Sequence, residues 1–297
     1  DTFRVIPGDK VALDSIEADF DSTDLGKKEA EAELEALTRK LRDLQHLMYA
    51  ENQRSLLVVL QGRDAAGKDG TIRKIFGPVN PQGCRVTSFK VPSKEEAAHD
   101  FLWRCHKAAP RKGRIAVFNR SHYEDVLVVR VHNLVAEEVW SKRYDQINAF
   151  ETMLNENGTR VLKFFLNIDR HEQLERFRKR IENPAKNWKI SDADYSERAF
   201  WDDYTKAFEV AMQRCSTKES PWFIIPSNRK WFRNLAIASI IVEALEKTEM
   251  KFPQPSVDMN EIRRKYHEAE EESPASRGRS PEKSSSIPAR LLPRRMN

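Results

Sequence analysis

The amino-acid sequence predicts an α/β fold in which a parallel β-sheet is covered by helices on both faces. Five short apolar runs, at residues 56–60, 86–89, 115–118, 161–168 and 222–225, are typical of strands that are buried on both sides. Segments with helical spacing separate these runs, and strands that alternate with helices form βαβ units. A chain of 297 residues with 39% hydrophobic residues can form one large core. We therefore predict three layers, α/β/α.

The first element, residues 1–55, is predicted to be an arm and a long helix packed on the core. Residues 1–25 have little periodicity and should form an extended arm. Residues 27–52 should form a helix, because apolar residues recur at steps of three and four and would form one inward stripe. These apolar residues are Leu34, Leu37, Leu41, Leu44 and Met48.

The second element, residues 56–255, is predicted to be the core domain. Its helices are expected at residues 71–76, 93–107, 137–155, 171–181, 195–213 and 230–247. Residues 169–215 contain two helical segments in succession, with a break at Asn183-Pro184 and with no strand between them. An insertion of this kind between two strands is where a helical lid would lie.

The third element, residues 256–297, is a charged extension. Residues 259–272 could form a short helix, and the Ser, Pro and Arg content beyond residue 273 predicts disorder. Residues 273–297 contain six basic residues and one acid, so this segment accounts for the net charge of +5. Because the remaining chain is close to neutral, we predict no specific nucleic-acid partner.

The cysteines and the hydropathy predict a cytoplasmic protein. Cys84, Cys105 and Cys215 are far apart and have no metal-site spacing, which favours a reducing compartment. No apolar run reaches the roughly 18 residues that a membrane span requires, so we expect no membrane partner.

The strongest local signal is a glycine-rich segment directly after the first strand. Residues 62–68, with the sequence GRDAAGK, fit the pattern G-x-x-x-x-G-K. Gly62 and Gly67 would let the backbone turn sharply and approach phosphate oxygens, and the N–H groups of the loop would face the ligand. Lys68 would place a positive charge against a phosphate. The segment therefore predicts a phosphate-binding loop, or P-loop.

Two acids make this P-loop unusual. Asp69 stands where a Ser or Thr normally provides a hydroxyl metal ligand, and Thr71 could compensate only in part. Asp64, inside the loop, would repel phosphates unless a metal ion lay between them. Mg²⁺ prefers carboxylate and phosphate oxygens, so the acids predict a magnesium site.

A second acidic segment follows the strand at residues 115–118. In P-loop enzymes an acid from a neighbouring strand end holds Mg²⁺, and Glu124 and Asp125 are candidates. Asp125 could also orient or deprotonate an acceptor phosphate, and Arg120 could neutralise charge on the transferred group. Ser121 and Glu124 also have capping-box spacing, so a helix-capping role is an alternative, and both roles can hold at once.

Basic residues are concentrated in two regions. Residues 101–120 contain six Lys or Arg residues and no acid. The predicted lid adds Arg170, Arg176, Arg178, Lys179, Arg180, Lys186 and Lys189. A row of clustered phosphates needs such charge, although we expect roughly half of these residues, Arg178 and Lys179 first, to face only solvent.

Taken together, these motifs resemble those of the polyphosphate kinase 2 family. Residues 61–72 resemble its Walker A signature, residues 119–127 its Walker B block, and residues 176–191 its lid. Residues 222–233 resemble its last core strand and helix. The resemblance extends from about residue 1 to about residue 255.

The resemblance implies a three-layer α/β/α P-loop kinase fold with a parallel sheet and a helical lid. It implies phosphoryl transfer between inorganic polyphosphate and nucleotides with Mg²⁺, or Mn²⁺ as a substitute. Asp64 and Asp125 would hold the metal and the acceptor phosphate. The catalytic residues would be Asp64, Lys68, Arg120, Asp125 and Arg180. The nucleotide- or polyphosphate-binding residues would be Gly62, Arg63, Ala65, Ala66, Gly67, Asp69, Gly70, Thr71, Arg73, Lys90, Glu124, Arg130, Arg176 and Lys189.

The acceptor is predicted from three segments. Asp69, residues 80–83 and residues 86–90 resemble the subclass that accepts both AMP and ADP. The expected partners are polyphosphate, adenine or guanine nucleotides, and further copies of the chain in a dimer or tetramer. Two alternatives stay open. The chain could be a nucleotide kinase with ATP as donor, or a non-catalytic polyanion-binding module that depends on the basic residues 273–297.

Overall fold

The structure is a computed structural model that describes residues 2–20 and 25–272. Its centre is a sheet of five parallel strands in the order β2-β3-β1-β4-β5. The strands are β1 (Ser55–Gln61), β2 (Cys84–Ser88), β3 (Ile115–Asn119), β4 (Thr159–Asn167) and β5 (Trp222–Pro226). The predicted α/β fold with a parallel sheet is confirmed.

Helices connect the strands. They are α1 (Lys27–Glu51), α2 (Lys68–Phe76), α3 (Lys94–Ala97), α4 (Trp103–Ala108), α5 (Val128–Val131), α6 (Glu137–Glu156), α7 (Arg170–Ile181), α8 (Asp192–Ala199), α9 (Trp201–Cys215), α10 (Lys230–Glu246) and α11 (Met259–Glu272). Short 3₁₀ helices lie at Leu13–Ser15, His122–Val126 and Pro184–Lys189. The single helix predicted over residues 93–107 is wrong, because two short helices occupy it. Asp100 interrupts it by accepting a hydrogen bond from the N–H of Leu102 on its side chain.

The central strand β1 contributes to two hydrophobic cores. Leu57 and Val59 belong to the core that contains residues of α6 and α9. Leu56, Val58 and Leu60 belong to the core that contains residues of α1, α2 and α10. Successive side chains of a strand point to opposite faces, so the continuous apolar run of β1 supplies both cores. This alternation produces the three layers.

The N-terminal arm covers the β5 edge of the sheet. Arg4 pairs with Phe223 in an antiparallel bridge. The N–H of Val5 donates to the C=O of Trp222 at 2.9 Å, and the N–H of Ile224 donates to the C=O of Phe3 at 2.8 Å. The arm thus occupies backbone groups that an edge strand would otherwise expose.

The chain forms two compact units, Asp1–Phe252 and Pro253–Asn297. Within the second unit the structure describes α11, and the disorder predicted beyond residue 273 lies outside the described residues. Among residues 2–20 and 25–272, no helix combines the length and apolar character that a membrane crossing requires.

Candidate active site

The P-loop connects the end of β1 to the start of α2. Its backbone enters the left-handed region at Ala65 (φ +62°) and Gly67 (φ +111°). A Cβ at residue 67 would also lie 1.9 Å from Nη1 of Arg233, so any larger residue there would have to displace that guanidinium. The turn ends at Lys68, the first residue of α2, so the N-terminus of a nine-residue helix faces the same space as the loop.

Lys68 lies across the P-loop and is only 9% exposed. Its Nζ donates to the carbonyl of Gly62 at 2.6 Å and to that of Arg63 at 3.3 Å. Burial lowers the pKa of Lys68 to about 8, and the positive charge of nearby Arg120 contributes to the same shift. The ammonium group is therefore charged at neutral pH but is easier to deprotonate than an exposed lysine.

The carbonyls of residues 64–66 are held from behind by helix α7. Nε2 of Gln173 donates to the carbonyl of residue 64 at 2.9 Å. Nη1 of Arg176 donates to the carbonyls of residues 65 and 66, both at 2.8 Å. The C=O and N–H of one peptide unit point in opposite directions. These bonds therefore turn the N–H groups of Ala65 and Gly67 away from α7, and both residues line the cavity that is described below.

Arg176 uses all of its donors within the protein. In addition to the two P-loop carbonyls, Nε donates to Glu172 at 2.7 Å, and Nη2 donates to the carbonyls of Ser227 and Asn228 at 2.5 and 3.1 Å. A guanidinium has five N–H groups, so each one has a protein acceptor. The side chain is 6% exposed. This geometry favours a clamp on the P-loop backbone over the phosphate contact that the resemblance implied.

The second acidic segment follows β3 and is a 3₁₀ helix, His122–Val126. Oγ of Ser121 accepts from the N–H of Tyr123 at 3.1 Å instead of from that of Glu124, so the predicted capping box does not form. Arg120 precedes this helix with a φ of +60°. Its side chain links Asp64 of the P-loop to Glu124 of the second acidic segment. Its Nη2 lies 2.8 Å from Oδ1 of Asp64, and its Nη1 lies 3.7 Å from Oε2 of Glu124.

Asp125 is held by two arginines. Nη1 of Arg143, on α6, donates to Oδ1 at 3.1 Å and to the carbonyl of Asp125 at 3.0 Å. Nη2 of Arg104 lies 3.6 Å from Oδ2. Burial raises the pKa of Asp125 and that of Glu124, against the charges of Arg143 and Arg120 respectively. Sequence reasoning missed Arg143, because it lies 18 residues from Asp125 and belongs to no motif.

The acids fit a magnesium ion that is shared with a substrate. Oδ2 of Asp125 is buried and accepts no hydrogen bond within the described residues, and its nearest cation is Nη2 of Arg104 at 3.6 Å. The same residues contain no group of three or more His, Cys, Asp or Glu side chains placed to hold a metal. Mg²⁺ commonly takes one or two carboxylates and completes its shell with water and phosphate oxygens. Asp64 and Asp125 match that donor set.

A cavity of about 1060 Å³ joins the P-loop, the second acidic segment and the predicted lid. It is lined by most of the predicted site residues, namely Asp64, Ala65, Gly67, Lys68, Asp69, Gly70, Arg73, Lys90, Arg120, Glu124, Asp125, Arg176, Arg180 and Lys189. Twelve basic and four acidic residues line it within the described residues. The cavity is therefore suited to a strongly anionic ligand.

Five predicted site residues are not among those that line the cavity. They are Gly62, Arg63, Ala66, Thr71 and Arg130. Arg63 stacks on Trp201 at 4.0 Å, and burial lowers its pKa to about 10. Arg130 lies over Trp140 at 4.8 Å. Thr71 is fully buried, and its hydroxyl donates to Asn234 at 3.4 Å, so it does not replace the missing hydroxyl ligand at residue 69.

Several cations line the cavity although the sequence analysis did not select them as site residues. They are Arg104, Lys179, Lys186, Lys230 and Arg233. Lys179, which was expected to face only solvent, is exposed and also lines the cavity. Arg178, for which the same was expected, is exposed and forms ion pairs with Glu175 and Glu182. Helical spacing explains the difference, since consecutive residues of α7 point in directions about 100° apart.

Residues 24–253 match the family model "Polyphosphate kinase 2 (PPK2)". The chain is 49% identical over 261 residues to an AMP/ADP-polyphosphate phosphotransferase of Meiothermus ruber, covering 88% of this chain and 98% of that protein. It is 44% identical over 264 residues to an ADP-polyphosphate phosphotransferase of Rhodopseudomonas palustris, covering 85% of this chain and 91% of that one.

Among solved structures, the chain is similar to polyphosphate kinase 2 from Arthrobacter aurescens TC1. The TM-score is 0.87 at 37% identity, and the match covers 90% of this chain and 96% of that one. The parallel sheet, the P-loop and the acidic segment after β3 thus occur in an arrangement that matches a solved member of the family. The chain belongs to the polyphosphate kinase 2 family.

Proposed function

We propose that this chain transfers phosphoryl groups between inorganic polyphosphate and nucleoside mono- and diphosphates, with Mg²⁺ as the metal. One observation carries the proposal: the P-loop and the second acidic segment lie in one cavity whose basic residues outnumber its acidic residues by three to one. The names of the relatives from M. ruber and R. palustris support the same donor, and together they support AMP and ADP as acceptors.

The reacting phosphates would lie between the P-loop and the acidic segment. Lys68 and Arg120 both line this space and would place positive charge where negative charge moves during phosphoryl transfer. Asp64 and Asp125 would hold Mg²⁺, which when bound neutralises phosphate charge and orients the reacting oxygens. Of the two carboxylate oxygens of Asp125, Oδ1 accepts from Arg143, whereas Oδ2 accepts no hydrogen bond within the described residues and would have to exchange its ion pair with Arg104 for the metal.

The chemical step needs no covalent enzyme intermediate. An oxygen of the acceptor's terminal phosphate attacks the terminal phosphorus of polyphosphate, and a new P–O–P bond forms. The P–O bond to the next polyphosphate unit breaks, and the shortened chain leaves with the bonding electrons. The acceptor is already anionic, so Asp125 would orient it and would remove a proton only where one is present.

Polyphosphate would extend from this space along the predicted lid, residues 169–215. Lys179, Arg180, Lys186 and Lys189 line the cavity from that side, and Lys230 lines it from α10. Nη1 of Arg180 donates to the carbonyl of Lys189 at 2.9 Å, which ties α7 to the 3₁₀ helix at Pro184–Lys189. Repeated phosphates need several positive charges, and these side chains would supply them.

A donor test decides between this function and its alternatives. Purified protein with Mg²⁺ and AMP or ADP is incubated with long-chain polyphosphate or with ATP, and the products are separated by chromatography. We expect ADP and ATP to form with polyphosphate as donor. Product with ATP alone would indicate an ordinary nucleotide kinase, and no product with either donor would favour a binding module.

A further inference from the structure

A buried ionic cluster lies directly behind the second acidic segment. Lys163, on β4, is 0% exposed, and Glu151, on α6, is 1% exposed. Nζ of Lys163 donates to Oε2 of Glu151, to the carbonyl of Cys215 and, at 3.0 Å, to the hydroxyl of Tyr123. Every N–H of the ammonium group is therefore used, which is the condition for burying a charge.

The same cluster holds the start of the 3₁₀ helix His122–Val126. Oε1 of Glu151 accepts from the hydroxyl of Tyr123 at 2.9 Å and is 3.1 Å from Nε2 of His122. Both His122 and Tyr123 are 0% exposed. Glu124 and Asp125 are the next two residues of the same helix, and both line the cavity.

A gain in the stability of the fold does not by itself explain why this ionic cluster is buried. Removing two charges from water is costly, and apolar residues of similar volume often replace a buried ion pair without loss of stability. A helix of five residues has few internal hydrogen bonds, and Arg120 before it has a φ of +60°. The orientation of such a short segment must therefore be fixed by contacts from outside it.

Helix α6 contacts both halves of the segment. Its Glu151 binds His122 and Tyr123, and its Arg143 binds the carboxylate of Asp125. The ion pair with Lys163 in turn fixes Glu151 against the central sheet. The acidic segment is thus fixed at its buried start and at its carboxylate end by one rigid helix.

We propose that Glu151, Lys163 and Tyr123 are positioning residues of the phosphotransfer site. Their hydrogen bonds hold the His122–Val126 helix in the orientation that directs Glu124 and Asp125 into the cavity. None of the three is among the residues that line the cavity, so they act through the two acids and not on the substrate. The inference rests on the proposed function, since it assigns a purpose to those acids.

The test compares two variants with a matched control. Tyr123→Phe removes one hydroxyl and keeps the ion pair, and Glu151→Gln keeps the shape but removes the charge. The control is Thr159→Val, at the start of β4, which also removes a buried hydroxyl and loses its hydrogen bond with Ser55 at 2.8 Å. Backbone hydrogen exchange, followed by mass spectrometry, measures how often residues 119–127 open locally, and it does not depend on enzymatic activity.

We expect exchange in residues 119–127 to be about five- to thirty-fold faster in Tyr123→Phe, because the variant loses two buried hydrogen bonds, one to Glu151 and one from Lys163. Exchange in the P-loop should stay unchanged. The Mg²⁺ concentration at half-maximal rate should rise about three- to ten-fold and kcat should fall, while the KM for polyphosphate stays within about two-fold of the parent. Thr159→Val should match the parent in all five of these quantities.

Two results would overturn the inference. One is exchange that does not change in residues 119–127, and the other is faster exchange with an unchanged Mg²⁺ midpoint and kcat. If Glu151→Gln does not fold, Tyr123→Phe decides alone. An inactive parent would reject the proposed function instead, and exchange would then show by itself whether the cluster orders the segment. A purely destabilising effect would lower the amount of active protein but would leave the midpoint unchanged.

Discussion

Replacing Arg176 by methionine should destabilise the protein before any ligand is added. Methionine fills a similar volume but has no N–H groups, so four main-chain carbonyls lose a donor. They are those of Ala65, Ala66, Ser227 and Asn228. Nη1 of Arg233 still donates to the carbonyl of Ala66 at 3.1 Å, so the loss there is partial.

The size of the effect follows from these contacts. A buried acceptor without a donor costs about 1–3 kcal/mol, and water from the cavity can reach some of the freed carbonyls. We therefore expect a loss of about 3 kcal/mol in the free energy of unfolding. For a domain of this size each kcal/mol lowers Tm by about 2–4 °C, which predicts a decrease of roughly 6–12 °C.

The assay is thermal unfolding without ligands, followed by circular dichroism. Arg178→Met is the matched control, because Arg178 lies two residues further along α7 and its side chain is 57% exposed. Its exposed ion pairs should contribute little, so its Tm should stay close to that of the parent. The clamp would be refuted if Arg176→Met kept the parent's Tm and only the KM for polyphosphate rose, since that pattern would indicate a direct phosphate contact.

Three further predictions concern the reacting groups. Asp125→Asn should lower kcat at least about 100-fold with an unchanged circular dichroism spectrum, and near-parent activity would reject its proposed role. Burial lowers the pKa of Lys68 to about 8, so the group is mostly charged at pH 7 and loses its charge as the pH rises through 8. Polyphosphate affinity, measured by calorimetry, should fall up to about ten-fold per pH unit above pH 8, and Lys68→Met should remove this dependence. Removing Mg²⁺ with EDTA should abolish turnover, and Mg²⁺ or Mn²⁺ should restore it; activity that persisted in EDTA would contradict the metal proposal.

The fold and the P-loop could be predicted because their signals are local. The buried strands are short apolar runs, and the G-x-x-x-x-G-K pattern lies directly after one of them. The apolar run reflects burial of the strand on both faces, and the glycines reflect a backbone that needs an unusual φ. A reader of the sequence needs no information on distant residues to recognise either one.

The partners of the acids could not be predicted, because they depend on how helices pack. Arg143 contacts Asp125 only because α6 lies beside the segment that follows β3. Arg233 reaches the P-loop from α10, more than 160 residues further along the chain. No periodicity or spacing connects such pairs, and only the order of the strands brings them together.

The same limit explains why cations in the family motifs have different uses. Arg63 and Arg176 both belong to segments that resemble phosphate-binding motifs, yet one stacks on Trp201 and the other binds backbone carbonyls. A carbonyl oxygen and a phosphate oxygen both accept from a guanidinium, so the residue type alone cannot show which of them is bound. The acceptors of its N–H groups do distinguish the two cases, since all five N–H groups of Arg176 have acceptors within the protein.

The charge of the cavity still favours a polyanion after such structural cations are set aside. Arg176 and Arg233 bind the P-loop backbone, and Arg104 is close to Asp125. Nine of the twelve basic residues then remain against four acids. A phosphate monoester supplies only about two negative charges, and bound Mg²⁺ would offset them. A monophosphate alone would therefore leave the cavity with a net positive charge, whereas a chain of phosphates would supply further negative charge.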